Sequence, residues 1–183
     1  VKAAIVAGGR ATRLRPLSYH RPKALLPICN IPYIELQLRY LKRWGVDEVV
    51  FCTDYLAEQL VEFLGDGESL GMSISYSKED VPLDTAGAVI NAREKLGEGD
   101  IFVLNGDVIT DFPLDEALNK HKQRNAEATL ILASVQPPHA YGVVRLKEDE
   151  RVAEFVEPSV EAKQALARGE ALTPTDGPPD LIN

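Results

Sequence analysis

Only two cysteines, Cys29 and Cys52, occur in the 183 residues, and neither lies at metal-ligand or redox-pair spacing. That excludes a disulfide scaffold and a structural zinc site, and it predicts two buried, reduced thiols in a cytoplasmic protein. No apolar run approaches the ~18 residues of a membrane span, so no membrane partner is expected. The opening Val1-Lys2-Ala3-Ala4-Ile5-Val6-Ala7 meets Gly8-Gly9 too soon for a signal peptide and reads as a first β-strand. No internal repeat or low-complexity tract is present. The net charge of −8 disfavours nucleic acid, whose phosphate backbone needs a basic face. A homo-oligomer is compatible with the composition.

One further absence is local. From Val1 to Ile34 there is no acid, yet Lys2, Arg10, Arg13, Arg15, Arg21 and Lys23 all fall there. Surface charge usually mixes signs, so a purely cationic end on an acidic chain points to an anion site.

What is present alternates between strand and helix patterns. The strand candidates are Ala3–Ala7, Glu48–Thr53, Ser73–Ser77, Ile101–Asn105 and Ala128–Ser134, followed by Gly142–Leu146 and Arg151–Val156. The first and fourth are near-continuous apolar runs, as central parallel strands require. Helices are expected from Pro32 to Gly45, from an Asp54 cap through Leu64, from a Thr85 cap to Lys95, and from Pro113 to Lys122. A short helix and a Gly- and Pro-rich loop are expected between Pro158 and Pro179. This pattern predicts an α/β fold: a three-layer Rossmann-like sandwich with a mixed, mostly parallel central sheet. Ligands of such sheets bind beyond the carboxyl ends of the strands.

Three segments carry candidate chemistry. Gly8-Gly9-Arg10-Ala11-Thr12-Arg13-Leu14-Arg15-Pro16-Leu17 follows the first strand, where glycines let backbone N–H groups approach phosphate oxygens. It is neither a Walker loop nor a dinucleotide fingerprint; Arg13 and Lys23 would supply charge to a polyphosphate. Ile101-Phe102-Val103-Leu104-Asn105-Gly106-Asp107 ends a strand in a carboxylate able to hold Mg²⁺ against phosphates, or in an ordinary turn aspartate. Pro82-Leu83-Asp84-Thr85-Ala86-Gly87-Ala88 opens a helix whose free N–H groups face a ligand or merely water. His121 falls on an apolar helical face, and His20 and His139 have no partner at ligand spacing, so all three read as structural or solvated; Trp44 reads as core.

These segments, with Arg21-Pro22-Lys23-Ala24-Leu25-Leu26-Pro27, Tyr141-Gly142-Val143-Val144 and Phe155-Val156-Glu157, occur in the order found in sugar-1-phosphate nucleotidylyltransferases. The chain resembles that family, most of all its mannose-1-phosphate guanylyltransferase branch. The resemblance implies a transferase that uses a nucleoside triphosphate, Mg²⁺ and a hexose-1-phosphate to make a nucleotide sugar and pyrophosphate. It implies that Gly8, Gly9 and Arg13 hold the triphosphate and that Lys23 neutralises charge during transfer, with Arg13 and Lys23 the catalytic pair. Asp107 would bind the metal, Glu79 and Gly87 would face the base, and Tyr141, Gly142, Glu157 and Asn183 would line the sugar site. A Glu79 carboxylate suits the paired N–H donors of guanine, which favours GTP. Residues 1–183 would then be one nucleotidyltransferase domain lacking its C-terminal end, where the family carries a further strand and a second metal-binding carboxylate.

Three positions depart from the family pattern. Ala11 and Asp84 stand where the family has glycine, and Pro158-Ser159 follows Glu157 where it has Lys-Pro. A non-catalytic nucleotide-sugar-binding regulator is the alternative that these departures motivate.

Overall fold

The computed structural model describes residues 1–81, 83–136, 141–157, 160, 164, 168 and 179–182. The expected helix and loop between Pro158 and Pro179 fall almost wholly outside them, as do Pro82, His139 and Asn183. The chain divides into two compact units, Val1–Leu114 and Asp115–Asn183.

The first unit is built on a four-stranded sheet of β1 (Lys2–Val6), β4 (Glu48–Thr53), β5 (Ser73–Lys78) and β6 (Ile101–Asn105), in the order β5-β4-β1-β6. Every pairing in it is parallel. Two-residue strands β2 (Pro27–Ile28) and β3 (Ile31–Pro32) form a separate hairpin. The helices are α1 (Tyr33–Arg43), α2 (Ala57–Leu64), α3 (Asp84–Asn91) and the short α4 (Arg93–Leu96).

Side chains alternate across a strand, and the register shows what each face buries. Ala4 pairs with Val50, and Val6 with Cys52; this face packs on Ala88, Ala92 and Leu96 of the α3–α4 segment. Alanines on both sides let helix and sheet approach closely. Ala3, Ile5, Val49 and Phe51 point the other way and are no more than 1% exposed. Ile34, Leu38 and Leu41 of α1 and Leu60 and Leu64 of α2 supply buried apolar surface for the remaining layer. Each such large side chain contributes about 1.5–3 kcal/mol by leaving water.

Several local expectations are corrected. The β6 run was expected in the sheet centre, but among the described residues it borders only β1, and Val103 is 48% exposed. Asp54 caps no helix: α2 begins at Ala57 after Leu56 in a left-handed conformation (φ 55°). Asp54 instead packs against Gly8 at the end of the sheet. Thr85 is no cap either, because the helix already starts at Asp84 without a side-chain cap, and it breaks at Ala92. Cys29 is exposed rather than buried. It occupies the hairpin turn with Asn30, both at positive φ (50° and 65°), as a two-residue turn between twisted strands requires. Cys52 is buried, as expected.

The second unit holds α5 (Leu114–Arg124, entered from the last residue of the first unit) and strands β7 (Ala133–Val135), β8 (Val143–Leu146), β9 (Val152–Val156) and β10 (Asp180–Ile182). They form their own antiparallel sheet in the order β7-β10-β8-β9. The strand expected over Ala128–Ser134 is thus confined to its end. No helix among the described residues is long and apolar enough to cross a membrane.

Candidate active site

Parallel pairing fixes where the loops go. Val6 is level with Cys52 on one side and Asn105 on the other, and Cys52 is level with Ser77. All four strands therefore end at one edge, and the residues that follow them meet there. Backbone bonds extend the order one residue further: Ala7 N–H donates to Cys52 O (2.8 Å), Gly106 N–H to Val6 O (2.8 Å) and Glu79 N–H to Thr53 O (2.9 Å). The edge is thereby lined by Gly8, Asp54, Glu79 and Asp107.

Gly8 is crowded: a Cβ there would lie 3.1 Å from the Asp54 Cβ and 3.7 Å from Glu79 Oε1. Gly9 is open, with nothing among the described residues within 4 Å of the same position, so its backbone is accessible to an incoming group. Gly106 is crowded by Val6 O at 3.0 Å and Ala7 Cβ at 3.1 Å, which sets the path of the chain into Asp107. Lys23, in a 3-10 turn over Lys23–Leu25, forms an ion pair with Asp107 Oδ2 across 84 residues of sequence. The two side chains are 36% and 39% exposed, so both remain open to a ligand.

Glu79 is 7% exposed. Its Oε2 accepts the Leu83 N–H at 3.0 Å, which pins the turn ahead of α3. Gly87, one helical turn on, is equally constrained, since a Cβ would meet the Leu83 Cβ at 2.8 Å. The carboxylate leaves a mark on its neighbour: burial first, and then Glu79, push the Cys52 thiol up to about 11.

The basic loop is held at several points. Buried Ser18 donates to Ala11 O at 2.8 Å, and Leu14 N–H donates to the same oxygen at 2.9 Å. Tyr55 hydroxyl donates to Tyr19 O (2.9 Å) and Gln59 Nε2 to His20 O (3.0 Å). The Arg10 guanidinium lies 6.0 Å from the Tyr55 ring centre and that of Arg15 5.1 Å from Tyr19, within cation–π range. Arg13 is exposed and forms no ion pair among the described residues. Ala11 sits in a left-handed conformation, φ 46° and ψ 46°.

The structure therefore brings Gly8, Glu79, Lys23 and Asp107 to one sheet edge, with Gly9 beside Gly8 and Gly87 on the helix that Glu79 anchors. Tyr141, Gly142 and Glu157 belong to the second unit. There the Val143–Val156 pairing sets Gly142 beside Glu157, whose Oε1 would lie 3.2 Å from a Gly142 Cβ. Asn183 lies outside the described residues. Sequence reasoning overlooked Asp54 as a site neighbour and Tyr55 as a loop anchor. The only signal for either was its place just after β4.

Cations, carboxylates and an open glycine thus share the carboxyl edge of a parallel α/β sheet. The chain belongs to the nucleotidyl transferase family, whose model matches residues 2–170. It is 45% identical over 162 residues to mannose-1-phosphate guanylyltransferase 1 of Arabidopsis thaliana, covering 86% of this chain and 45% of that protein. The mannose-1-phosphate guanylyltransferase catalytic subunit beta of Dictyostelium discoideum is 42% identical over 160 residues, with the same coverage. The chain thus spans a little under half the length of these curated relatives. The crystal structure of HddC from Yersinia pseudotuberculosis shares the fold, with a TM-score of 0.73 at 24% identity over all of this chain and 73% of that one.

Proposed function

We propose that the chain carries the transfer site of a sugar-1-phosphate nucleotidyltransferase, with GTP as the favoured donor and mannose-1-phosphate as the hexose-1-phosphate acceptor. The observation that carries this reading is the Lys23–Asp107 pair beside Gly8 and Gly9, in a family member whose relatives bear guanylyltransferase names. An oxygen of the sugar phosphate attacks the α-phosphorus, the bond to the bridging oxygen breaks, and pyrophosphate leaves. The nucleophile is already anionic, so no general base is required, and catalysis rests on positioning and charge neutralisation.

Each residue has a defined part. The open backbone at Gly9, with Gly8 beside it, and the guanidinium of Arg13, which forms no ion pair among the described residues, receive phosphate oxygens. Lys23 holds its charge over the transfer. Glu79 spends one lone pair on Leu83 and keeps acceptor capacity for the N–H groups of guanine. Gly142, Tyr141 and Glu157 receive the sugar.

A divalent metal is implied by this chemistry. Among the described residues no three His, Cys, Asp or Glu gather as a metal cage. Mg²⁺ does not need one, since it is commonly held by one or two carboxylates plus substrate phosphates, and the half-exposed carboxylate of Asp107 fits that donor set. Bound there, the ion would neutralise charge on the triphosphate oxygens. The reading also puts the protein in the cytoplasm, where triphosphates are abundant and free thiols such as Cys29 and Cys52 persist.

The test is pyrophosphate release with Mg²⁺, a panel of GTP, dTTP and UTP, and mannose- and glucose-1-phosphates. GTP with mannose-1-phosphate is expected to be the best pair. Lys23→Ala removes a charge-assisted contact of about 1.5–3 kcal/mol, a loss of roughly tenfold to over a hundredfold, with an unchanged circular dichroism spectrum. Full activity of this variant, or no pyrophosphate from any pair, would overturn the assignment.

A further inference from the structure

Lys23 lies in a 3-10 turn and Asp107 in a loop, and both segments are fastened to the same helix. The Tyr33 N–H, at the start of α1, donates to Leu26 O at 3.0 Å, three residues after Lys23. The Tyr33 hydroxyl donates to Val108 O, one residue after Asp107. One turn further along α1, Gln37 Nε2 donates to Asn105 O at 2.9 Å and to Val108 O at 3.5 Å. Another turn on, the Tyr40 hydroxyl donates to Phe112 O at 2.5 Å.

Positions 33, 37 and 40 follow the i, i+4, i+7 stripe of one helical face. Their acceptors at 105, 108 and 112 bracket Asp107 on both sides. Tyr33 and Gln37 are 6% and 5% exposed, so these donors cannot exchange freely to water. The Tyr33 hydroxyl is pushed up to about 12, by burial first and then by the nearby Asp107 charge, and so remains a donor at any working pH.

Gln37 carries a cost that a core residue would not. Its two carbonyl acceptors orient the amide, and Oε1 is then buried with no hydrogen-bond partner among the described residues. A buried unsatisfied acceptor is destabilising. An apolar side chain of the same length would avoid that cost, so the amide is explained by what its N–H groups hold.

We propose that Tyr33, Gln37 and Tyr40 are positioning residues that hold the Asp107 loop in register with Lys23, an inference that rests on the transfer reading above. None of the three touches the reacting groups; they act through Asp107 and Lys23.

Gln37→Met and Tyr33→Phe test it with two separate readouts. The first, independent of activity, is amide hydrogen exchange at Val108 and Phe112. It is expected to quicken about three- to tenfold, the range of one net hydrogen bond, while β4 is unchanged. The second is steady-state pyrophosphate release: kcat falls about three- to tenfold while KM for the triphosphate stays within about twofold. In Gln37→Met the lost bond and the removed orphan acceptor offset each other, so Tm moves by less than about 3 °C. Unchanged exchange in the loop overturns the proposal whatever kcat does. So does faster exchange with an undiminished kcat, or a Tm that falls in step with kcat. If the unmodified protein releases no pyrophosphate, the transfer reading falls, and the exchange result alone decides whether α1 holds the loop.

Discussion

Replacing Ala11 by glycine reverses the usual sign of that substitution. Ala11 is left-handed, at φ 46° and ψ 46°, where the Cβ of an L-residue crowds the following carbonyl at roughly 1–2 kcal/mol. The conformation is held from outside, because Ala11 O accepts both Leu14 N–H (2.9 Å) and the hydroxyl of Ser18 (2.8 Å), and Ser18 is 2% exposed. Glycine relieves the crowding but returns about 0.4–1 kcal/mol of conformational freedom to the unfolded chain. At mid-range the difference is a net stabilisation of about 0.8 kcal/mol.

In a chain of this length 1 kcal/mol moves Tm by about 2–4 °C, so Ala11→Gly should melt about 1–4 °C higher. Ala11→Val supplies the opposing control: a β-branched residue is a true outlier at positive φ, and its Tm should fall. Paired thermal melts followed by circular dichroism, with urea midpoints as a second measure, suffice. An Ala11→Gly variant that melts lower than the unmodified protein would refute the reasoning, because that is the behaviour of an alanine at ordinary negative φ.

Gly87→Ala should destabilise by about 1–3 kcal/mol, since the new Cβ meets the Leu83 Cβ at 2.8 Å and neither atom can rotate away; a Tm within 1 °C of the unmodified protein would show that α3 yields freely. The two thiols should differ sharply toward an aromatic disulfide reagent at pH 8. Exposed Cys29 reacts at once, whereas Cys52, buried and raised to about 11, holds only about a thousandth of its population as thiolate at that pH. Denaturant should release the second equivalent, and two fast equivalents in the native protein would contradict the burial of Cys52.

How much of this was legible beforehand varies with the range of the interaction. The strands Glu48–Thr53 and Ile101–Asn105 were read to the residue, because an apolar β-branched run is a local signal. Asp54 and Thr85 failed as caps for the opposite reason: a capping residue type is common, and the path of the chain at a strand exit is set by the sheet. Cys29 has the apolar neighbours Ile28 and Ile31, yet its exposure follows from a turn geometry that composition does not encode. Ala11 and Asp84 stood out as absent glycines, but the cost appears only with their positive φ values of 46° and 57°. The α1 donors were least legible, because their partners are backbone carbonyls, which carry no residue identity. The one trace was a polar Gln37 among Ile34, Leu38 and Leu41.

The charge pattern of the chain acquires a reason from the register. An antiparallel sheet would send alternate loops to opposite ends, whereas four parallel strands ending level deliver every exit to one edge. Three of those exits bring a carboxylate: Asp54, Glu79 and Asp107. Without cations from elsewhere such an edge would repel a polyphosphate, and the first exit, which opens the acid-free stretch from Val1 to Ile34, supplies Arg13 and Lys23. Lys23 is already committed to Asp107, so the pair is close to neutral, and an arriving triphosphate must be met by further positive charge. The exposed guanidinium of Arg13, which forms no ion pair among the described residues, can supply part of that charge, and the proposed divalent cation at Asp107 would supply more.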